Sequence, residues 1–312
     1  MHNLAIVSRD HAIYQSLYEQ YKDSLPSYQL IYCGPAPSED VLKHANIVLS
    51  EPDVAAKFID QCKAMMWLQS TWAGNNKLQQ HAKRDYLLTG VKGIFSAQMR
   101  EYVMAYILHF QRRIPDFLEL QSRRQWHTLD VTTLEAKTLG IMGLGSIGMP
   151  LAHIAQSFGM HINAISRSSR DLSSATYYST DDILRFAQTS DYIVNLLPET
   201  ENSIGLCDEQ FFAHMKNTAV FINAGRGSIL RSDQVLVNAL ANKQIKAAVL
   251  DVFPEEPLDS NSALYDAPNC MITNHSAAVS KPEKVFEVFL DNLDRLARQE
   301  ELRYVHDFTR GY

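Results

Sequence analysis

The run Thr138-Leu139-Gly140-Ile141-Met142 reads as a short apolar strand, and Gly143-Leu144-Gly145-Ser146-Ile147-Gly148 turns it directly into a helix over 149–158. That turn constrains the fold more than any other segment. A G-x-G-x-x-G sequence between strand and helix uses its first glycine for the tight turn, its second to let backbone approach a pyrophosphate, and its third for close helix–strand packing. The helix start then offers unbonded N–H groups and a partial positive charge to phosphate. A second strand expected over 161–166 completes a βαβ unit, so Gly143, Gly145, Ser146, Ile147 and Gly148 are candidate dinucleotide contacts.

The end of that second strand bears on which dinucleotide is bound. An NAD site of this type carries Asp or Glu about 20 residues after the glycines, accepting hydrogen bonds from the ribose 2′-hydroxyl. Here the sequence is Ser166-Arg167-Ser168-Ser169-Arg170. A carboxylate repels a 2′-phosphate, whereas an Arg fork and serine hydroxyls bind one. The expectation is NADP(H) in preference to NAD(H), with Ser166, Arg167 and Ser168 at the phosphate; the bland alternative is that the arginines are solvated loop cations.

A strand-then-helix rhythm runs through the rest of the chain. Strands are expected over 4–7, 29–32, 47–49 and 65–69, with helices over 11–21, 38–44 and 54–62, the second opened by a Ser38 cap. Such alternation implies parallel sheets covered by helices. A long helix is expected over 98–113. After the βαβ unit come a helix over 181–187, strands over 192–197, 219–223, 247–252 and 271–273, and helices over 233–241 and 283–298. At 312 residues the chain holds two domains of ordinary size.

Composition narrows the class. Hydrophobic content of 46% with 21% charged residues describes a soluble globular protein, and a formal charge of −6 gives no footprint for nucleic acid. No stretch is apolar enough for a membrane span, and the N-terminus lacks a signal-like pattern. Cys33, Cys62, Cys207 and Cys270 are scattered without redox or zinc spacing, which suits reduced packing thiols; no metal site is expected. The expected location is the cytoplasm.

Arg226, Glu256 and His275 each follow an apolar strand on the carboxyl side of the nucleotide motif. Singly, each has an ordinary reading: a braced turn, a solvated loop carboxylate, a surface imidazole. Together they follow successive strands of one sheet, whose loops gather at the cofactor edge. A carbonyl that accepts hydride develops negative charge on oxygen, so a fixed cation and a proton donor are required. Arg226 supplies the cation and a fork for a carboxylate, His275 the proton, and Glu256 orients the ring and favours its charged form. Ser70-Thr71-Trp72-Ala73-Gly74-Asn75, following the strand that ends at Gln69, is either an anion-binding loop or a plain surface turn.

With these residues in view, the chain resembles the D-isomer-specific 2-hydroxyacid dehydrogenase family, which includes glyoxylate/hydroxypyruvate reductases and phosphoglycerate dehydrogenases. The resemblance covers nearly the whole chain: Trp67 to Gly74, Gln98 to Val103, Lys137 to Gly148, Asn223-Ala224-Gly225-Arg226-Gly227, Asp251 to Pro257, Asn274-His275-Ser276-Ala277-Ala278 and Arg310-Gly311-Tyr312. It implies an α/β fold of two domains, a Rossmann dinucleotide-binding domain (99–280) inserted in a flavodoxin-like α/β substrate domain (1–98 and 281–312). By that likeness Arg226 binds the keto acid and His275 is the acid/base, and the Glu directly before Pro, Glu256, is the catalytic one. Asp251 and the Ala224 backbone hold the nicotinamide carboxamide, while Leu197, Pro198, Thr200, Gly225, His275 and Ala277 lie along the cofactor.

The likeness also implies that Trp72, Ala73, Gly74 and Met99, with Arg226 and His275, meet the substrate, and that the protein is a homodimer through its Rossmann domain. Asn75-Asn76 departs from the family's usual Val-Asp, and Arg100 from a small residue. Trp72 has two open readings, stacking on a substrate side chain or packing between domains. The chain ends at Tyr312, so regulation by a fused effector domain is not expected. The leading expectation is NADPH-dependent reduction of a small 2-keto acid. Its alternatives are an NAD-linked D-lactate or phosphoglycerate type of dehydrogenase, and a non-catalytic dinucleotide-sensing binding protein.

Overall fold

The structure is a computed structural model that describes residues 1–166, 172 and 174–309. Arg167 and Ser168, expected at a 2′-phosphate, and the Arg310-Gly311-Tyr312 motif lie outside the described residues. The chain forms two compact units, Met1–Ile94 with Ser280–Tyr312, and Phe95–Val279.

The first unit contains β1 (His2–Val7), α1 (His11–Tyr21), β2 (Tyr28–Gly34), α2 (Glu39–His44), β3 (Ile47–Ser50), α3 (Pro52–Ala55), β4 (Trp67–Ser70), α4 (Asn76–Gln79) and β5 (Leu87–Thr89). All strand pairs are parallel, in the order β2-β1-β3-β4-β5. This is the flavodoxin-like order. Leu4, Ala5, Ile6 and Val7 are wholly buried, as strands covered on both faces must be. Ser38 caps α2 through its hydroxyl, which accepts from the Val41 amide at 3.4 Å. The amphipathic helix α11 (Pro282–Ala297) returns to this unit and buries Val285, Phe286, Phe289 and Leu293. Phe289 packs 5.3 Å from the Trp67 ring.

The second unit opens with α5 (Ser96–Gln111) and α6 (Ile114–Ser122). There follow β6 (Thr138–Met142), α7 (Gly148–Ser157), β7 (His161–Ile165), β8 (Ala175–Tyr178), α8 (Ile183–Thr189), β9 (Tyr192–Asn195), α9 (Glu209–His214), β10 (Val220–Asn223), α10 (Asp233–Ala241), β11 (Ala247–Leu250) and β12 (Cys270–Ile272). Its parallel sheet runs β12-β11-β10-β9-β6-β7-β8. Renumbered from β6, the first six strands have the Rossmann order 3-2-1-4-5-6, with its switch point between β6 and β9. Apolar clusters cover both faces of the sheet, one around Phe211, Phe212 and Phe221, the other around Leu139, Ile141 and Leu151.

Some elements depart from the sequence expectation. The helix expected over 54–62 stops at Ala55, and a 3₁₀ turn at Ile59–Gln61 follows. Phe58, Ile59 and Cys62 are all buried in the same core cluster, and a tight turn presents them to it where a continuous helix would rotate some outward. The strands β5 and β8 and the helices α6 and α9 are additional to the expected elements: β5 has three residues, and β8 is a half-buried sheet edge. Among the described residues no helix is long and apolar enough to cross a membrane.

Candidate active site

The glycine turn has the geometry its motif requires. Gly143 has φ +104°, a left-handed conformation that side chains resist. At Gly148, the first residue of α7, a Cβ would stand 2.3 Å from the Gly143 carbonyl oxygen, so turn and helix touch backbone to backbone. Around Gly145 a Cβ would meet nothing within 4 Å. The backbone thus leaves an open cradle at the start of α7, and Ser146 beside it is exposed. A pyrophosphate fits that place, because the helix start supplies N–H donors and the missing side chain supplies room.

The other strand exits line up beside this cradle in sheet order. After β9, Leu196 packs against Gly143, where a Cβ would meet its carbonyl at 3.1 Å. Asn195 and Asn223, both wholly buried at the ends of β9 and β10, join Nδ2 to Oδ1 at 2.8 Å. Asn195 Oδ1 accepts from the Leu197 amide at 3.1 Å, and Asn223 Nδ2 donates to the Arg226 carbonyl at 3.1 Å. The pair fixes two loops at once. Pro198 and Thr200 are held by Ser203, whose Oγ donates to the Pro198 carbonyl at 2.7 Å and accepts from the Thr200 amide at 2.8 Å.

Arg226 lies between glycines that leave no space for side chains. A Cβ on Gly225 would stand 2.8 Å from Asn195 Nδ2, and one on Gly227 would overlap Phe253 at 2.0 Å. Ala224 is buried. The guanidinium donates to the Gly225 carbonyl at 2.6 Å. Burial pulls Arg226 below the usual arginine value, and the carboxylates of Glu199 and Glu256 oppose that shift. Glu199 in turn accepts from Ser228 Oγ at 2.6 Å.

His275 and Glu256 meet as a dyad, Nδ1 to Oε2 at 2.8 Å. Ionised carboxylate oxygens only accept, so Nδ1 carries the hydrogen and Nε2 is left for proton exchange. The other Glu256 oxygen accepts from the Phe253 amide at 3.0 Å, which fixes the carboxylate. His275 adopts φ +56°, a conformation costing a non-glycine residue about 1–3 kcal/mol. Asp251, 1% exposed, holds that conformation. Its carbonyl accepts from the His275 amide at 2.8 Å, Oδ1 from the Ser276 amide at 2.8 Å and Thr273 Oγ1 at 2.6 Å, and Oδ2 from the Ala277 amide at 3.0 Å. Tyr102 on α5 extends the network, with its hydroxyl 2.8 Å from Thr273 Oγ1.

Sequence reasoning named Asp251 and missed Tyr102, Thr273, Asn195 and Asn223. A readable signal existed for three of them: each of Asn195, Asn223 and Thr273 is a polar residue at the carboxyl end of an apolar strand. Tyr102 lies on a helix far earlier in the chain, and nothing local marks it.

In the first unit, the loop after β4 is pinned from below by the buried Gln69. Its Nε2 donates to the Ser70 and Gly90 carbonyls, each at 2.9 Å, and its Oε1 accepts from Thr89 Oγ1 at 2.8 Å and Asn292 Nδ2 at 3.1 Å. Ser70 Oγ accepts from the Trp72 amide at 3.1 Å. Trp72 is 39% exposed with the Arg9 guanidinium 5.9 Å from its ring. Ala73 is exposed and Gly74 half-buried, while Met99, on α5 of the second unit, is buried.

A Rossmann sheet with a glycine cradle at its switch point, and with Arg226 and a His275–Glu256 dyad at neighbouring exits, defines a dinucleotide-dependent dehydrogenase. Comparison with known proteins makes the class specific. Residues 104–277 match the family described as D-isomer specific 2-hydroxyacid dehydrogenase, NAD binding domain. A curated relative from Yersinia enterocolitica, glyoxylate/hydroxypyruvate reductase A, is 33% identical over 218 residues, 70% of this chain and 69% of that protein.

Among solved structures, a D-isomer specific 2-hydroxyacid dehydrogenase family protein from Aeromonas salmonicida is 34% identical with a TM-score of 0.90, covering 98% of this chain and 99% of that one. A probable 2-hydroxyacid dehydrogenase from Rhizobium etli, solved with NADP, HEPES and L(+)-tartaric acid, is 25% identical with a TM-score of 0.86 and full coverage of both chains. The chain belongs to the D-isomer specific 2-hydroxyacid dehydrogenase family.

Proposed function

We propose that the protein is an NADPH-preferring reductase of small 2-keto acids of the glyoxylate/hydroxypyruvate type, yielding the D-2-hydroxy acid. The observation that carries this reading is the row of exits in which Arg226 and the His275–Glu256 dyad follow the glycine cradle along one sheet edge. Two comparisons support it: the Yersinia relative bears that reductase's name, and the Rhizobium structure contains NADP. The sequence after β7, with arginines and serines and no early carboxylate, supports the 2′-phosphate.

When bound, the nicotinamide supplies the hydride. Arg226 polarises the keto oxygen and grips the carboxylate, and His275 Nε2 delivers the proton that neutralises the new alkoxide. Glu256 keeps the imidazole in the required tautomer and stabilises its cation. Gly143, Gly145, Ser146, Ile147 and Gly148 seat the pyrophosphate. Leu197, Pro198, Thr200, Gly225 and Ala277 line the cofactor, and Ala224 and Asp251 face the carboxamide. Ala73 and Gly74 bind the substrate carboxylate through their amides, with Trp72 and Met99 shaping the rest. In this assignment the nucleotide domain spans 99–280 and the substrate domain the two flanking segments.

The protein acts in the cytoplasm as a homodimer through the nucleotide unit. Ile114, Phe117 and Leu118 on α6 are 40–58% exposed and Trp126 wholly so, an apolar surface that a second copy covers. The test is a keto-acid panel run with NADPH and NADH. NADPH oxidation with glyoxylate or hydroxypyruvate, at a higher kcat/KM than with NADH, is the expected result. Inertness towards the whole panel refutes the activity, and a coenzyme ratio below one returns the reading to an NAD-linked dehydrogenase.

A further inference from the structure

Helix α5 brings the Tyr102 hydroxyl to the network that carries His275, and the chemistry above does not use it. The packing of α5 is apolar: Val103, Met104, Ile107 and Phe110 are buried in one cluster, and the Tyr102 and Tyr106 rings meet edge to face at 4.8 Å. A phenylalanine at 102 would keep that packing. The tyrosine adds a hydroxyl 2.8 Å from Thr273 Oγ1, 171 positions along the chain.

The direction of that bond follows from its neighbours. An ionised carboxylate only accepts, so at 2.6 Å Thr273 Oγ1 donates its single hydrogen to Asp251 Oδ1. Lone pairs alone are left for Tyr102, whose hydroxyl therefore donates. Burial raises the Tyr102 phenol well above its ordinary value, the Thr273 bond opposes the shift and the Asp251 charge adds to it, so the hydroxyl keeps its proton at neutral pH. The bonds run one way, from Tyr102 through Thr273 to Asp251, and chains of this kind strengthen one another by polarisation.

Asp251 ends that chain and anchors the loop that carries His275. Its Oδ1 accepts from Thr273 and the Ser276 amide, its Oδ2 from the Ala277 amide, and its carbonyl from the His275 amide. Three consecutive amides thus converge on one residue. A carboxylate turns easily about its last torsion unless its oxygens are fixed. We propose that Tyr102 is a positioning residue for the reaction: through Thr273 it keeps the Asp251 carboxylate turned to the Ser276 and Ala277 amides, and so holds the backbone from which His275 reaches Glu256. The proposal rests on the assignment of His275 as proton donor. Substrate binding is a separate matter, because Arg226 is held through the Asn195 and Asn223 side chains and the Gly225 carbonyl.

Loss of the Tyr102 hydroxyl should therefore cost rate and spare affinity. In Tyr102→Phe the kcat for glyoxylate with NADPH is expected to fall at least about fivefold, with KM for the acid within about twofold of the wild type. Amide hydrogen exchange by NMR in the ligand-free protein gives a readout free of turnover. The Ser276 and Ala277 amides should exchange at least about tenfold faster in the variant, while the amides of β6 and β10 keep their wild-type rates. Thr273→Val removes the middle of the chain and should repeat both effects. Thr273→Ser keeps the hydroxyl and should retain wild-type values.

Unchanged exchange at Ser276 and Ala277 in a variant with the wild-type urea midpoint overturns the tether. Faster exchange there with kcat unchanged overturns the link to the reaction, and acceleration spread evenly through the sheet marks a merely structural residue. Thr273→Val compared with Thr273→Ser carries the test if Tyr102→Phe fails to fold. A wild type that reduces neither glyoxylate nor hydroxypyruvate overturns the reductase reading, and the exchange measurement, which needs no substrate, separates that failure from failure of the tether.

Discussion

At the scale of single residues, the site joins a strongly polar dyad to a carboxylate that holds its loop. Removing the His275 imidazole removes the proposed proton donor, so His275→Ala is expected to lower kcat by about 10²–10⁴ in steady-state NADPH oxidation. Asp251→Asn is subtler. Its oxygen still accepts from Thr273 and Ser276, but its amide confronts the Ala277 N–H that Oδ2 now receives. One buried donor is left unpaired, at a cost of about 1–3 kcal/mol, and the loop that follows His275 loses one of its ties to residue 251. A urea midpoint shifted by that amount, with at least a tenfold fall in kcat, is the expected outcome.

The thiols are a separate residue-scale matter. Burial pushes Cys33 and Cys62 up to about 11 and Cys270 up to about 12, and it raises Cys207 well above the ordinary thiol value. The thiolate is the reactive form, so native protein at about pH 8 should be modified by an aromatic disulfide reagent far more slowly than urea-unfolded protein. Rapid labelling of all four native thiols contradicts this.

At the scale of elements, the junction of turn and α7 has no room for an added carbon. Gly148→Ala puts a carbon 2.3 Å from the Gly143 oxygen, so the turn and helix must separate. Overpacking of this kind costs about 1–3 kcal/mol. It also moves the helix start away from the phosphate, so NADPH affinity by fluorescence titration should fall at least tenfold.

The carboxyl-terminal segment contributes a second element-scale prediction. His306 is buried, with Nε2 2.7 Å from Gln79 Oε1 and its amide donating to the Leu88 carbonyl, while Gln79 Nε2 donates to the Phe308 carbonyl. Burial holds the imidazole below its ordinary value of about 6.5. The unfolded chain therefore takes up the proton first as pH falls. The contribution of this group to stability is complete above about pH 6.5 and is lost as pH falls from there towards the lower folded value. Urea midpoints between about pH 7 and 5 should fall less steeply for His306→Gln than for the wild type.

At the scale of the whole molecule, the apolar surface of α6 and Trp126 bears on assembly. Leu118→Glu places a charge in the proposed contact between copies, and light scattering on a sizing column should show a shift from dimer to monomer. An unchanged mass for that variant removes α6 from the interface. What was legible at this scale follows from period and order. The repeated apolar runs at Leu4–Val7, Ile47–Leu49 and Val220–Asn223 announced buried parallel strands, and Gly143, Gly145 and Gly148 announced the nucleotide turn because each glycine answers a separate steric demand. Arg226, Glu256 and His275 were nominated because each follows such a run within a few residues.

Short edge strands were not legible. The β8 strand is half-buried and mixes Ala, Thr and Tyr, so it carries neither a continuous apolar run nor clean alternation. Nor did the chain disclose the Tyr102–Thr273–Asp251 network, whose members are brought together across 171 positions and then 22. Sequence by itself determined the turn and the class of sheet and nominated the proposed reacting side chains, because those depend on local sterics and on the chemistry of residue types. Tertiary structure decided their arrangement: which strand exits adjoin, which buried carboxylate braces His275, and which helix brings a tyrosine hydroxyl to that network. Those outcomes depend on strand order, and strand order is settled by contacts between segments far apart in the chain.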